Sequence, residues 1–211
     1  MTRSISQQRR ILLGAGLSLA VAGIVPSTLA QAAAAAGGAR QLRIGHQKGL
    51  LSILRGRGTL EKRLAPLGVT VSWTEFTAGP PQLEALNVGS IDFGDVGEAP
   101  PIFAQAAGAP LVYYGQTVPR PASEAIVVPS NSALRSAADL RRKKIALNKG
   151  SNVHYLLVRL LEKYKIPYDQ VNLFWLAPSD ARAAFVQGSV DAWAIWDPFL
   201  AGAQQSLGAR I

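Results

Sequence analysis

The chain has 211 residues, 48% of them hydrophobic and 17% charged, an ordinary globular composition long enough to bury a core in one large or two modest domains. It contains no cysteine, which excludes disulfides, thiolate metal sites, cysteine nucleophiles and a lipid-modified cysteine anchor. A formal charge of +9 favours anionic ligands without naming one, and the two histidines, His46 and His154, stand too far apart in sequence to suggest a transition-metal site.

Residues 1–32 read as a secretory signal peptide. Arg3, Arg9 and Arg10 precede an apolar run over 11–25, then Pro26 and small residues ending in Ala30-Gln31-Ala32, after which cleavage is expected. The run is shorter than the roughly 20 residues of an ordinary membrane span. Arg9-Arg10 fits a twin-arginine signal, but Gln7 and Gln8 replace the usual Ser or Thr, so twin-arginine and general secretion both stay open. Residues 33–41 read as a flexible new N-terminus.

Alternation predicts a strand over 42–46, followed by a helix over 50–64 that Gly56 and Gly58 weaken by roughly 1 kcal/mol each. A second strand is expected over 69–76. Pro81 and Gly89 bracket a helix over 82–88. A buried strand over 91–94, a helix through Ala107 and a strand over 110–116 complete a first lobe, 42–120. The second lobe, 121–211, starts with an extended stretch over 125–129 and a short helix over 136–140. The basic run Arg141 to Lys144 that follows has no aromatic interleaving and reads as solvated charge, not as a nucleic-acid surface. Strands are then expected over 144–147, 172–176 and 190–195, with helices over 153–164 and 181–187, the latter capped by Ser179 or Asp180. Trp196-Asp197-Pro198-Phe199 reads as an outward turn.

The two lobes echo each other. Gly89-Ser90-Ile91-Asp92 returns as Gly188-Ser189-Val190-Asp191, and Lys48-Gly49 returns as Lys149-Gly150, each with its strands and helices in the same order. This predicts two β-α-β-α-β units facing each other across a cleft. In parallel sheets ligands bind beyond the C-terminal strand ends, where helices begin. Those turns carry mainly small residues, amides and hydroxyls, and helix N-termini bind oxyanions without needing an arginine. Gly49 and Gly150 permit close backbone approach, while Ser151 and Asn152 add donors; the plainer reading of Gly150-Ser151-Asn152 is a tight turn with an N-cap. Trp193 and Trp196, three apart in a strand, fall on opposite faces, with Trp196 expected at the cleft wall. Asp197 orders a turn, and Asp92 and Asp191 read as strand-edge residues. No nucleophile elbow, phosphate loop or paired carboxylates point to catalysis, and no cofactor is implied.

The segments LRIGHQKG, EALNVGSIDFGDVGEAPPIFAQAAGA, KGSNVH and DARAAFVQGSVDAWAIWDPF also resemble the aliphatic sulfonate-binding proteins that serve ABC importers, from about Leu42 to the end of the chain. The resemblance implies an α/β, two-lobed periplasmic-binding-protein type II fold. It further implies a monomeric, periplasmic, non-enzymatic receptor that closes on its ligand and delivers it to a membrane permease and its ATPase. The pocket it implies uses Gln47, Gly49, Leu50, Ala78, Gly79, Pro80, Glu98, Ala99, Gly150, Ser151, Asn152, Trp196 and Asp197. Taurine, nitrate or another small anion stays open as ligand. The pyrimidine synthases of the same fold use a cysteine-rich motif that this chain lacks. His46 stands where family members commonly have Tyr, Glu98 where many have Asp, and Gly56-Arg57-Gly58 interrupts the first helix. Family members continue for about a hundred residues more, so a C-terminally truncated second lobe and an exposed apolar surface are expected.

Overall fold

The computed structural model describes residues 40–211, so the expected signal peptide lies outside the described residues. Arg40 and Gln41, expected to be flexible, already belong to the first strand, β1 (Arg40–His46). The described residues form two sheets.

The first sheet has the order β2-β1-β3, with β2 at Val69–Glu75 and β3 at Phe93–Gly94, and is parallel throughout. β1 runs against β2 from Arg40↔Val69 to His46↔Glu75. As the central strand it buries its C-terminal half, Ile44 to His46. The helix expected over 50–64 is two helices, α1 (Leu50–Arg57) and α2 (Thr59–Leu64). Gly58 breaks it with a left-handed φ of 59°, a conformation that costs a residue with a side chain about 1 kcal/mol. Next come α3 (Gly79–Asn87), β3 and α4 (Ala99–Ala106). The strand expected over 110–116 does not form. That stretch pairs with no neighbour among the described residues, and Val112 and Tyr114 are 88% and 91% exposed. Apolar and aromatic composition favours a strand only where a partner supplies the ladder.

The second sheet has the order β4-β7-β5-β6, formed by β4 (Glu124–Val127), β5 (Lys144–Leu147), β6 (Asn172–Trp175) and β7 (Ala192–Trp196). β4 lies antiparallel on the edge against β7, so this sheet is mixed, unlike the purely parallel arrangement expected from helical crossovers. Its helices are α5 (Asn152–Lys163), α6 (Pro178–Val186) and α7 (Phe199–Leu207). α6 starts earlier than expected: Ala177 is its extended N-cap and Pro178 its first residue, so neither Ser179 nor Asp180 caps it. The expected turn forms at Asp197 and Pro198, and α7, which was not anticipated, follows it from Phe199. The second sheet is packed on both faces, by Leu140, Ile145, Leu147, Val153, Leu157 and Leu161 on one side and by Ala146, Phe185, Trp193, Ile195 and Leu200 on the other. Around the first sheet, Ile44, Ala78, Leu83, Ile91, Ala99, Pro100 and Pro101 are buried, while Ile102 and Phe103 are exposed.

The sequence echo is structural down to single hydrogen bonds. Arg43 N–H donates to Asp92 Oδ2 at 2.8 Å, and Asp92 N–H returns a bond to the Arg43 carbonyl at 2.7 Å. Lys144 and Asp191 repeat this in the second sheet, at 2.8 Å each way. Each Gly-Ser-Ile/Val-Asp turn thus clasps the strand beside which its own strand begins. The guanidinium of Arg43 adds to the first clasp and holds the Asp92 carboxyl below its ordinary range.

Candidate functional site between the strand ends

The turns that follow β1, β3 and β5 carry most of the predicted residues, and each is ordered from within. After β1, Gly49 N–H donates to Ser52 Oγ at 3.1 Å, and the Ser52 hydroxyl donates to the Gly49 carbonyl at 2.7 Å. Gln47 reaches across to the turn after β3, where its amide donates to the Asp95 carbonyl at 3.3 Å. Gln82, 1% exposed, supports the same carbonyl at 3.0 Å. Burial raises the Asp95 carboxyl above its ordinary range, partly offset by Arg120 and His46. Ala78 and Gly79 are buried where α3 begins, with Pro80 half-buried beside them. Leu50 is 45% exposed on the outside of α1.

In the second lobe the Ser151 hydroxyl donates to the Asn148 carbonyl at 2.7 Å, and Ser151 is 3% exposed. Gly150 N–H donates to His154 Nδ1 at 3.1 Å, which leaves the proton of the neutral ring on Nε2, where it faces the Tyr168 hydroxyl at 2.9 Å. The ring also stands edge-on to Trp175 with centroids 5.0 Å apart. Burial, aided by Lys149, holds the His154 pKa below its ordinary value. Sequence reasoning set His154 aside as a metal ligand and gave it no other role. Its position four residues after Gly150, one helical turn into α5, is the signal that it could reach back to the turn.

The lobes meet at these turns. Asn152 Oδ1 accepts from Ala99 N–H at 3.2 Å, and Asn152 Nδ2 donates to Glu98 Oε2. Gly97 has no side chain because Asn152 fills the space a Cβ would need. Pro80 lies against Gly150, and Lys48 Nζ stands 5.7 Å from the centre of the Phe199 ring. Glu124, at the start of β4, was not anticipated. Burial raises its carboxyl and the charge of Glu98 raises it further, while a bond from Asn152 works the other way.

Several expected residues also serve the fold. Asp197 Oδ1 accepts from Ala201 N–H at 3.0 Å, so its carboxylate caps the first turn of α7. Trp193 is 1% exposed in the core, and Trp196 is half-buried at the end of β7 opposite Glu124, packed against the cores on both faces of the sheet. His46 is fully buried, with Nε2 3.1 Å from the Arg55 guanidinium and its ring edge-on to Trp73, so it supports β1 from inside and lines no cleft.

Two lobes of α/β topology meeting at the C-terminal ends of their strands define the two-lobed fold of periplasmic binding proteins. The family model described as NMT1/THI5 like matches residues 68–206, and the chain belongs to that family. A protein of Escherichia coli (strain K12) named as an aliphatic sulfonates-binding protein is 48% identical over 197 residues, which is 92% of this chain and 61% of that one. The alkanesulfonate-binding protein SsuA from Xanthomonas axonopodis pv. citri, solved bound to MOPS, is 50% identical with a TM-score of 0.76, covering 81% of this chain and 59% of that chain. The periplasmic aliphatic sulphonate binding protein SsuA from Escherichia coli is 50% identical with a TM-score of 0.69, covering 81% and 56%. The chain therefore spans between 56% and 61% of the length of these proteins.

Proposed function

We propose that this chain is the ligand-binding component of an ABC importer, exported to the periplasm, which captures aliphatic sulfonates between its two lobes and presents them to a permease and its ATPase. The observation that carries this reading is the 50% identity and TM-score of 0.76 to an alkanesulfonate-binding protein, spread over both lobes. The chemistry of the turns agrees with it. A sulfonate is a permanent monoanion with three acceptor oxygens, and the N-termini of α4 and α5 face each other with Ala99 N–H and the Asn152 amide between them. Helix N-termini favour such an anion through oriented N–H groups. Gly49 has open space beside it, Ala78, Gly79 and Pro80 are assigned to the wall of the pocket, and Gln47, Gly150 and Ser151 to the turns around it. The relatives are named as binding proteins, and the same role without catalysis is proposed here.

Calorimetric titration of the chain from residue 33 with ethanesulfonate, octanesulfonate, taurine, sulfate and nitrate tests the assignment. Saturable binding of an alkanesulfonate, tighter than sulfate or nitrate, is expected. A folded protein that ignores both alkanesulfonates, or prefers sulfate or nitrate, refutes it.

A further inference from the structure

We propose that Gln82 is a positioning residue of the ligand site, the side chain that sets the spacing of the turns after β1 and β3 and so decides how well the first lobe holds an anion. The ladder between β1 and β3 ends at Gly45↔Gly94, just where the turns carrying Gln47, Gly49, Glu98 and Ala99 begin. The two paired glycines leave a socket on the face of the sheet that α3 covers. The Gln82 side chain fills it: a Cβ at Gly94 would lie 2.2 Å from its Nε2, and one at Gly45 3.1 Å from its Cγ. From there the amide donates to the Gly45 carbonyl at 3.3 Å and to the Asp95 carbonyl at 3.0 Å, using both of its N–H groups. One side chain from α3 thus ties the end of β1 to the start of the turn after β3, where backbone pairing has stopped.

Filling the socket asks only for a side chain of that size. Glutamine fills it at a cost, because its Oε1 has no hydrogen-bond partner among the described residues although Gln82 is 1% exposed. The two N–H bonds are what distinguishes it from an apolar residue, and both go to carbonyls that lead directly into the site. Without them, only a fraction of molecules presents the two turns in the binding arrangement, and the apparent affinity falls by that fraction. The effect on affinity rests on the sulfonate reading; the effect on the turns does not.

Gln82→Met keeps the volume and removes the donors, so it separates positioning from packing. In the ligand-free variant, hydrogen exchange read by mass spectrometry is expected to be faster than in the parent over 46–52 and 95–99, with β5 and β7 unchanged. Calorimetry is expected to show about three- to tenfold weaker binding of ethanesulfonate. Gly94→Ala reaches the same end by another route, since its methyl group displaces the Gln82 amide. It should reproduce both changes in the parent and add little to either in Gln82→Ala, where the space is vacant. Where Gln82→Met fails to fold, Gly94→Ala decides by the same two readings. A folded Gln82→Met with parental exchange in both turns overturns the proposal, because size alone then suffices. Parental ethanesulfonate affinity alongside loosened turns also overturns it. So does loss of the fold in both Gln82→Met and Gly94→Ala, since Gln82 would then serve the core of the lobe and not its turns. Loosened turns in a variant, with ethanesulfonate bound by neither variant nor parent, leave Gln82 in its role and remove the ligand assignment.

Discussion

His154 shows how one side chain ties the electrostatics of the site to its shape. Its Nδ1 accepts the Gly150 N–H, so protonation turns the acceptor into a donor and breaks that bond. Burial and Lys149 both oppose the charged form, so the folded state holds the ring below its ordinary pKa of about 6.5. The unfolded chain then binds the proton more readily. The stability contributed by neutral His154 is present above pH 6.5 or so and is lost as pH falls from there through the folded pKa. His154→Asn puts an acceptor oxygen near the position of Nδ1 and cannot titrate. Urea midpoints measured at pH 5.5 and 7.5 should therefore fall with acidification in the parent by more than in His154→Asn. Equal slopes for the two proteins would remove His154 from the account.

Among the elements, the interrupted helix after β1 separates two roles that glycine plays. Gly56 lies inside α1 with nothing within 4 Å of an added Cβ and no left-handed backbone, so its cost is conformational entropy. Gly58 is equally open, but its φ of +59° is what ends α1 and starts α2. Gly56→Ala should stabilise the protein by about 0.5–1 kcal/mol and Gly58→Ala should destabilise it by about 1 kcal/mol or more. Urea denaturation of the two variants checks both signs, and a gain at both positions would mean that the break is not required. The contrast with α7 is instructive. The sequence reading stopped at the turn Trp196 to Phe199 and gave no helix beyond it, whereas in the fold Asp197 caps a helix that runs over Phe199–Leu207.

For the whole molecule, the uneven distribution of buried apolar side chains sets the order in which regions open. The second sheet is covered on both faces by clusters, while the first rests on a handful of buried residues beside exposed Ile102, Phe103, Val112 and Tyr114. Amides of β1 should therefore exchange with solvent faster than those of β5, although the two strands hold equivalent central places in the repeat. Hydrogen exchange read by mass spectrometry decides this, and equal protection of β1 and β5 would contradict it. Sequence by itself determined the strand and helix order, the doubled Gly-Ser-Ile/Val-Asp units and the small-residue turns at the strand ends, because periodicity, glycine and proline placement and internal repetition are local properties. It also misread 110–116 as a strand, since β-propensity is local but a strand needs a neighbour. Only the tertiary structure decided that β4 runs antiparallel, that His46 is buried against Arg55 and Trp73, and that Asn152 reaches across to Glu98 and Ala99. These depend on which residues distant in sequence come within hydrogen-bond reach, and no local pattern encodes that.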